Sequence, residues 1–147
     1  MKASLLRLCT PLYNDSMMKE FSLSTPHEGF VPITNRIQEY IDSHHITEGL
    51  AIIYCPHTTA GITINENADP DVVHDLLLAL DLSFADEPRF LHAEGNSAAH
   101  LKASVMGSSV TVPIVQGKLA LGMWQGIFFC EFDGPRRRTF VCKILLG

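Results

Sequence analysis

A chain of 147 residues, 46% apolar and 18% charged, is the right size for one domain with its own core and leaves little room for a second. Eleven Lys and Arg against 16 Asp and Glu give a formal net charge of −5, which argues against a general nucleic-acid binder but permits a small anion held by a local basic cluster. No window approaches the ~18–20 apolar residues of a membrane span, and Arg7 breaks an N-terminal apolar run already too short for a signal peptide.

The predicted elements alternate between strands and helices. KEFSLSTP (19–26) sets Phe21 and Leu23 against Ser22 and Ser24, which is strand periodicity, and Pro26 ends it. In ITNRIQEYIDSHH, Ile33, Ile37, Tyr40, Ile41 and His44 recur at helical spacing, with Thr34 or Asn35 as cap. GLAIIYCP (49–56) reads as a strand buried on both faces. In HTTAGITINEN (57–67), His57, Thr59, Gly61, Thr63 and Asn65 share one face of an extended chain, and Thr58, Ala60, Ile62, Ile64 and Glu66 share the other. DPDVVHDLLLALDLSF predicts a helix capped by Asp69, with Pro70 first and Val73, Leu76, Leu77 and Leu80 as its buried stripe. A loop with Pro88 leads to a shorter helix ending near Gly107. The last forty residues read as β: SSVTVPIV, a QGK turn, a long strand LALGMWQGIFFCEFD, a GPR turn and RRTFVCKILL, with Pro113 marking an edge or bulge. The fold class is therefore α+β, one domain over 1–147, mostly antiparallel sheet or sandwich with two to three helices.

The four cysteines, Cys9, Cys55, Cys130 and Cys142, form no CxxC pair, and the last three lie in apolar runs. They read as small hydrophobes in a reduced, cytoplasmic protein that meets neither membrane nor nucleic acid.

Four polar stretches stand out. A strand face carrying His57, Thr59, Thr63 and Asn65 either meets water or lines a site. Asp69 and Asp71 are explained by the helix start, whereas Glu66 and Asn67 are not. In HAEGNSAAH (92–100), Ser97 or Asn96 can cap the following helix, whose first amides make an anion site that Gly95 lets a ligand approach. His100 near the positive dipole end is expected to resist protonation and suit a metal, with His92 as a second ligand; a solvated helix cap is the alternative. In LGMWQG, Gly122, Trp124 and Gly126 share a face where a planar ligand or another subunit can pack, unless the tryptophan is core, and Gln125 points the other way. In DGPRRR, Arg136 and Arg138 share a face suited to phosphate or carboxylate, the alternative being a solvated turn.

Together HTTAGITINENADPDV, HAEGNSAAHLKASVMGSSVTVPI and LALGMWQGIFFCEFDGPRRR resemble the YjbQ family, also called UPF0047, over nearly the whole chain, FSLSTPHEGFVPIT included. The family's polar signature is matched at His57, Thr58, Thr59, Asn65, Glu66, Asp69, His92, Glu94, Gly95, Asn96, His100, Trp124, Gln125, Asp133 and Arg136; Met123 stands where threonine is usual. The resemblance implies a compact α+β homotrimer with weak, secondary thiamine-phosphate synthase activity. That reaction joins an aminopyrimidine pyrophosphate to a thiazole phosphate and expels pyrophosphate. On this reading His57, His92 and His100 hold a divalent metal. Glu66, Glu94, Asn65 and Asp133 take part in the chemistry. Thr59, Asn96, Ser97, Gln125, Arg136 and Arg138 hold the phosphorylated substrate, and Trp124 stacks on a ring. Magnesium prefers oxygen ligands, whereas three imidazoles favour zinc. Metal-assisted turnover of another phosphorylated metabolite, or a non-catalytic trimer that binds a metal or small anion, are the alternatives.

Overall fold

The computed structural model describes residues 17–147, so Cys9 and the N-terminal run around Arg7 lie outside the described residues. In chain order the elements are β1 (Met18–Ser24), β2 (Gly29–Pro32), α1 (Thr34–Ser43), β3 (Gly49–Tyr54), β4 (Ala60–Glu66), α2 (Pro70–Ser83), α3 (Ser97–Met106), β5 (Ser109–Val115), β6 (Lys118–Leu119), β7 (Gln125–Glu131) and β8 (Arg137–Leu146). All strand pairs are antiparallel. One sheet has the order β1-β8-β3-β5-β6 and the other β2-β7-β4. The α+β architecture with three helices is thus as expected. Among the described residues no helix is long and apolar enough to cross a membrane.

The two sheets and α1 close one core. Phe21, Ala51, Ile53, Ile114, Phe140 and Ile144 come from the large sheet, Ile62, Ile127 and Phe129 from the small one, and Ile37 and Ile41 from the helix. A second core lies on the outer face of the small sheet. There Phe30, Phe128, Cys130 and Phe132 meet Leu80 of α2 and Ala99 and Ala103 of α3, with Val73, Leu76 and Leu77 packed against them. The strand buried on both faces is therefore β7, not β3. Alternate residues of β7 feed the two cores, whereas Leu50 and Tyr54 of β3 are 40% and 46% exposed on the outside of the large sheet. Lys102 of α3 is buried and ties the helical layer together by bonds to Glu28 and Asp81.

The caps divide. Asp69 caps α2 as predicted, its Oδ1 accepting from the Asp71 amide at 2.9 Å. Neither Thr34 nor Asn35 caps α1. Ile33 holds that position, and the Thr34 hydroxyl accepts from the Ile127 amide instead, joining helix to β7. The predicted long strand over 119–133 is two strands in different sheets. Gln116 and Gly117, both with positive φ, turn β5 into the two-residue β6. Gln125 then folds back, its amide donating to the Gly122 carbonyl at 3.0 Å, before β7 starts in the other sheet. Pro113 marks neither an edge strand nor a bulge: β5 lies between β3 and β6 in unbroken register with β3, but β6 pairs only with Ile114 and Val115, so Pro113 falls just outside that ladder. Cys55, Cys130 and Cys142 are buried free thiols; burial pushes all three up, Cys142 to about 12, so they behave as hydrophobes.

Candidate functional site

The chain opens α3 without a side-chain cap. Asn96 occupies the cap position and Ser97 the first helical position, and neither side chain bonds a first-turn amide. The first-turn amides of α3 thus have no side-chain acceptor at the cap position. Beside it the His92 and His100 rings stand edge to face with centroids 5.3 Å apart. Phe90, His92, Ser97, His100 and Leu101 line a cavity of about 500 Å³ there. Glu94 is exposed nearby, its Oε2 3.9 Å from His92 Nε2.

A chain of polar contacts backs this corner. Asn96 Nδ2 donates to Asp133 Oδ2 at 3.0 Å. Arg136 donates to the same oxygen at 2.8 Å and through Nε to the Asp133 carbonyl at 2.6 Å. Burial alone would raise the Asp133 carboxyl, but the bonds from Asn96 and Arg136 outweigh it and hold the group below the usual range. Asn96 Oδ1 is buried and has no partner among the described residues. Flipping the amide would set oxygen against the Asp133 carboxylate, so the orphan acceptor is fixed and calls for a donor.

His57 occupies the next groove, a cavity of about 510 Å³ whose walls include His57, Thr58, His100, Ser104 and Gly107. Its Nε2 accepts from the Thr139 backbone amide at 3.0 Å. His100 thus faces both cavities, but within one chain the three imidazoles are not gathered at one point. Among the described residues no group of three or more His, Cys, Asp or Glu is placed to hold an ion, and His57 Nε2 has its lone pair engaged. Gly61 lies on the predicted face but meets protein rather than ligand. A Cβ there would stand 2.7 Å from the Gly107 carbonyl and 3.0 Å from Met106 Cβ. The bare glycine lets β4 lie against the end of α3, which sets the separation of the walls bearing His57 and His100.

Two expected ligand contacts belong to the interior. Arg138 is not a free phosphate binder; it is 7% exposed and grips fully buried Glu131 with two bonds of 2.7 Å. Thr59 is buried and its hydroxyl accepts from Arg138 at 2.7 Å. Arg136 and Arg138 therefore do not act on one face. Arg136 precedes β8 and turns out to Asp133, while Arg138 turns in to a carboxylate that needs a counter-ion. Burial would push the Glu131 carboxyl up, but bonds from Arg138, Thr25 and the Asp133 amide hold it down. Sequence reasoning passed over Glu131, whose signal was a lone acid within the apolar run IFFCEF.

The remaining predicted residues lie at the far end of the small sheet. The ladder from Ala60↔Glu131 to Glu66↔Gln125 runs over seven residue pairs, about 20 Å from end to end. Asn65 and Glu66 end β4, the Asn65 Oδ1 accepting from the Glu66 amide at 2.7 Å. Gln125 Oε1 accepts from the Gly122 amide at 2.8 Å, closing the turn before β7. Trp124 is not a core residue and shares no strand face with Gly126. It sits in that turn 61% exposed, beside Met123 at 88%. A Cβ on Gly126 would stand 2.6 Å from Asn67 Cβ, so that glycine seats Asn67 rather than a planar ligand. Within one chain Asn65, Glu66, Trp124 and Gln125 do not join the histidines.

A family model described as UPF0047 protein YjbQ-like matches residues 19–147. The UPF0047 protein YugU of Bacillus subtilis is 49% identical over 131 residues, covering 88% of this chain and 99% of the relative. The UPF0047 protein MJ1081 of Methanocaldococcus jannaschii is 51% identical over 130 residues, covering 88% and 94%. Among solved structures, an uncharacterized yjbq/upf0047 family protein of Clostridium acetobutylicum superposes with a TM-score of 0.84 at 53% identity, covering 86% of this chain and 99% of that one. A YbjQ-like protein of unknown function from Sulfolobus solfataricus gives 0.83 at 29% identity, covering 88% and 96%.

Proposed function

This chain belongs to the UPF0047 YjbQ-like family, and on that footing we propose that it binds a small phosphorylated metabolite at the His92–His100 corner and performs group transfer of the thiamine-phosphate synthase type. The observation that carries this reading is the contact of the two imidazoles at the uncapped start of α3, backed by Asn96, Asp133 and Arg136. First-turn amides and the guanidinium edge of Arg136 would take the phosphate oxygens. Phe90 and Leu101 would exclude water, and buried Asn96 Oδ1 would accept a bond from a ligand N–H or O–H.

The chemistry needs no protein nucleophile. The pyrophosphate leaves with the carbon–oxygen electron pair, and the thiazole nitrogen supplies the pair for the new carbon–nitrogen bond. What this chain contributes is neutralisation of the leaving group, with an imidazole N–H of His92 or His100 donating to it, and shape. The divalent metal that such a site would use, zinc or magnesium, has no ligand set among the described residues of one chain, and no step is assigned to it.

Purified protein given an aminopyrimidine pyrophosphate and a thiazole phosphate is expected to form thiamine phosphate, with the rate falling about tenfold or more in Arg136→Ala. A rate unchanged in the variant would trace the product to a contaminant and defeat the reading.

The same reading includes a homotrimer. Exposed Met123 and Trp124 mark one end of the small sheet, and exposed Leu91 lies beside the histidine corner. Joining these surfaces in a ring would cover them and bring Asn65, Glu66, Trp124 and Gln125 of one chain toward the histidines of the next. Light scattering is expected to give three times the chain mass; a single-chain mass would contradict the assembly.

A further inference from the structure

The sheet decides which nitrogen of His57 carries the proton. The β3–β8 ladder ends at Tyr54↔Val141. Thr139 lies two residues beyond that end, so continued β3 pairing does not reach its amide. The His57 ring takes the place of the missing strand, with Nε2 3.0 Å from the Thr139 nitrogen. A backbone N–H can only donate. Nε2 therefore presents its lone pair, and in the neutral ring the proton sits on Nδ1. Protonating Nε2 would set two N–H groups against each other. Burial, and then the charge of Arg138, also disfavour the cation. Nδ1 has no hydrogen-bond partner among the described residues, and the ring forms one wall of the groove that His100 faces.

We propose that His57 is a neutral, fixed Nδ1–H donor to an anionic oxygen of the phosphorylated metabolite, and neither a metal ligand nor a general base. The proposal rests on the reading of the histidine corner as a phosphate site and gives its ligand a second polar anchor in the neighbouring groove. Imidazole bound to a metal through Nδ1 would need that nitrogen bare while Nε2 also has no proton, which neutral imidazole cannot supply. A ring locked in this way also cannot take a proton at Nε2 without losing Thr139.

Two substitutions separate the nitrogens. Glutamine places an oxygen near Nε2 and can keep the Thr139 bond, but it puts no donor at the Nδ1 position. Asparagine places its amide nitrogen near Nδ1 and gives up the Thr139 bond. Calorimetric titration with inorganic pyrophosphate is expected to show His57→Gln weakened about tenfold or more and His57→Asn within about threefold of the natural protein. Imidazole nitrogen NMR of the natural protein should assign His57 a bare Nε2 and a protonated Nδ1. Equal pyrophosphate affinity in His57→Gln overturns the donor role and leaves the phosphate corner standing. Failure of the natural protein to bind pyrophosphate overturns the corner and this proposal together. A protonated Nε2 on His57 overturns the proposal whatever the affinities.

Discussion

Glu131→Gln is expected to cost about 3–5 kcal/mol of folding stability, the range for breaking a buried ion pair by removing one charge. Glu131 is fully buried, and its Oε2 accepts from Arg138 Nε at 2.7 Å and from Thr25 at 2.7 Å. Its Oε1 accepts from Arg138 at 2.7 Å and from the Phe132 and Asp133 amides at 3.1 and 2.9 Å. A glutamine amide must turn an NH₂ toward one of these two sets of donors. It also leaves a guanidinium that is only 7% exposed without a counter-charge. In thermal unfolding the midpoint should fall on the order of 10 °C. A loss under about 1 kcal/mol would mean that the pair is not the anchor argued above.

The same pair sets an acid limit. The Glu131 carboxyl is held below its ordinary value of 4.5 in the folded chain, burial opposing and the Arg138 bonds prevailing. A lowered folded value stabilises the native state fully above the unfolded value. That contribution is lost as pH falls through the folded one. Asp133 and Asp81 shift in the same direction. Stability should therefore decline below about pH 4, and Glu131→Gln should flatten that decline. Because the Glu131 carboxylate also receives the Asp133 amide, its loss should loosen Asp133 and with it Arg136 and Asn96.

The second large effect is on activity. His100→Ala should lower thiamine-phosphate formation about 100-fold or more, the usual range for a proton-transferring or charge-stabilising side chain. The change should leave the fold nearly intact. The His100 ring is half-buried, its ring contact is with His92, and it is the backbone carbonyl that holds Ser104. The ratio of kcat/KM in the two proteins, read beside their unfolding midpoints, separates chemistry from stability. Parity in kcat/KM would remove His100 from the site.

Periodicity made most of the fold legible before any coordinates. Phe21 and Leu23 alternate into the core, Asp69 caps α2, and RRTFVCKILL is a strand from end to end. The failures have local causes. The run from Leu119 to Phe132 looks continuous because only Gly122, Gln125, Gly126 and Glu131 interrupt its apolar residues. The break is made by a hydrogen-bonded turn at 122–125 that Gly122 and Gln125 close together. The short strand β2 is four residues with no room for a period.

The site was legible by residue type but not by position. HAEGNSAAH does bring His92, Asn96 and His100 to one helix start. The triple arginine reads as one patch in sequence, but Arg138 points in because buried Glu131 requires it, and that partner lies seven residues away across a turn. His57 looks like a ligand until the end of β3 exposes a lone amide for it to accept from. Nothing in the spacing of Asn65, Glu66 and Trp124 shows that β4 and the turn before β7 set them at the opposite end of the small sheet from Ala60 and Glu131, about 20 Å along the ladder.

Phosphate is proposed to bind at the uncapped start of α3, between its two imidazoles and Arg136. A proton–nitrogen correlation titration with inorganic pyrophosphate is the decisive check. The largest shifts are expected at the amides of Gly95–Leu101 and at Arg136 Nε, with weaker changes at Thr139 through the His57 ring. Shifts centred instead on Lys19 and Arg36, the other basic pair lining a groove, or no saturable shifts at all, would contradict it.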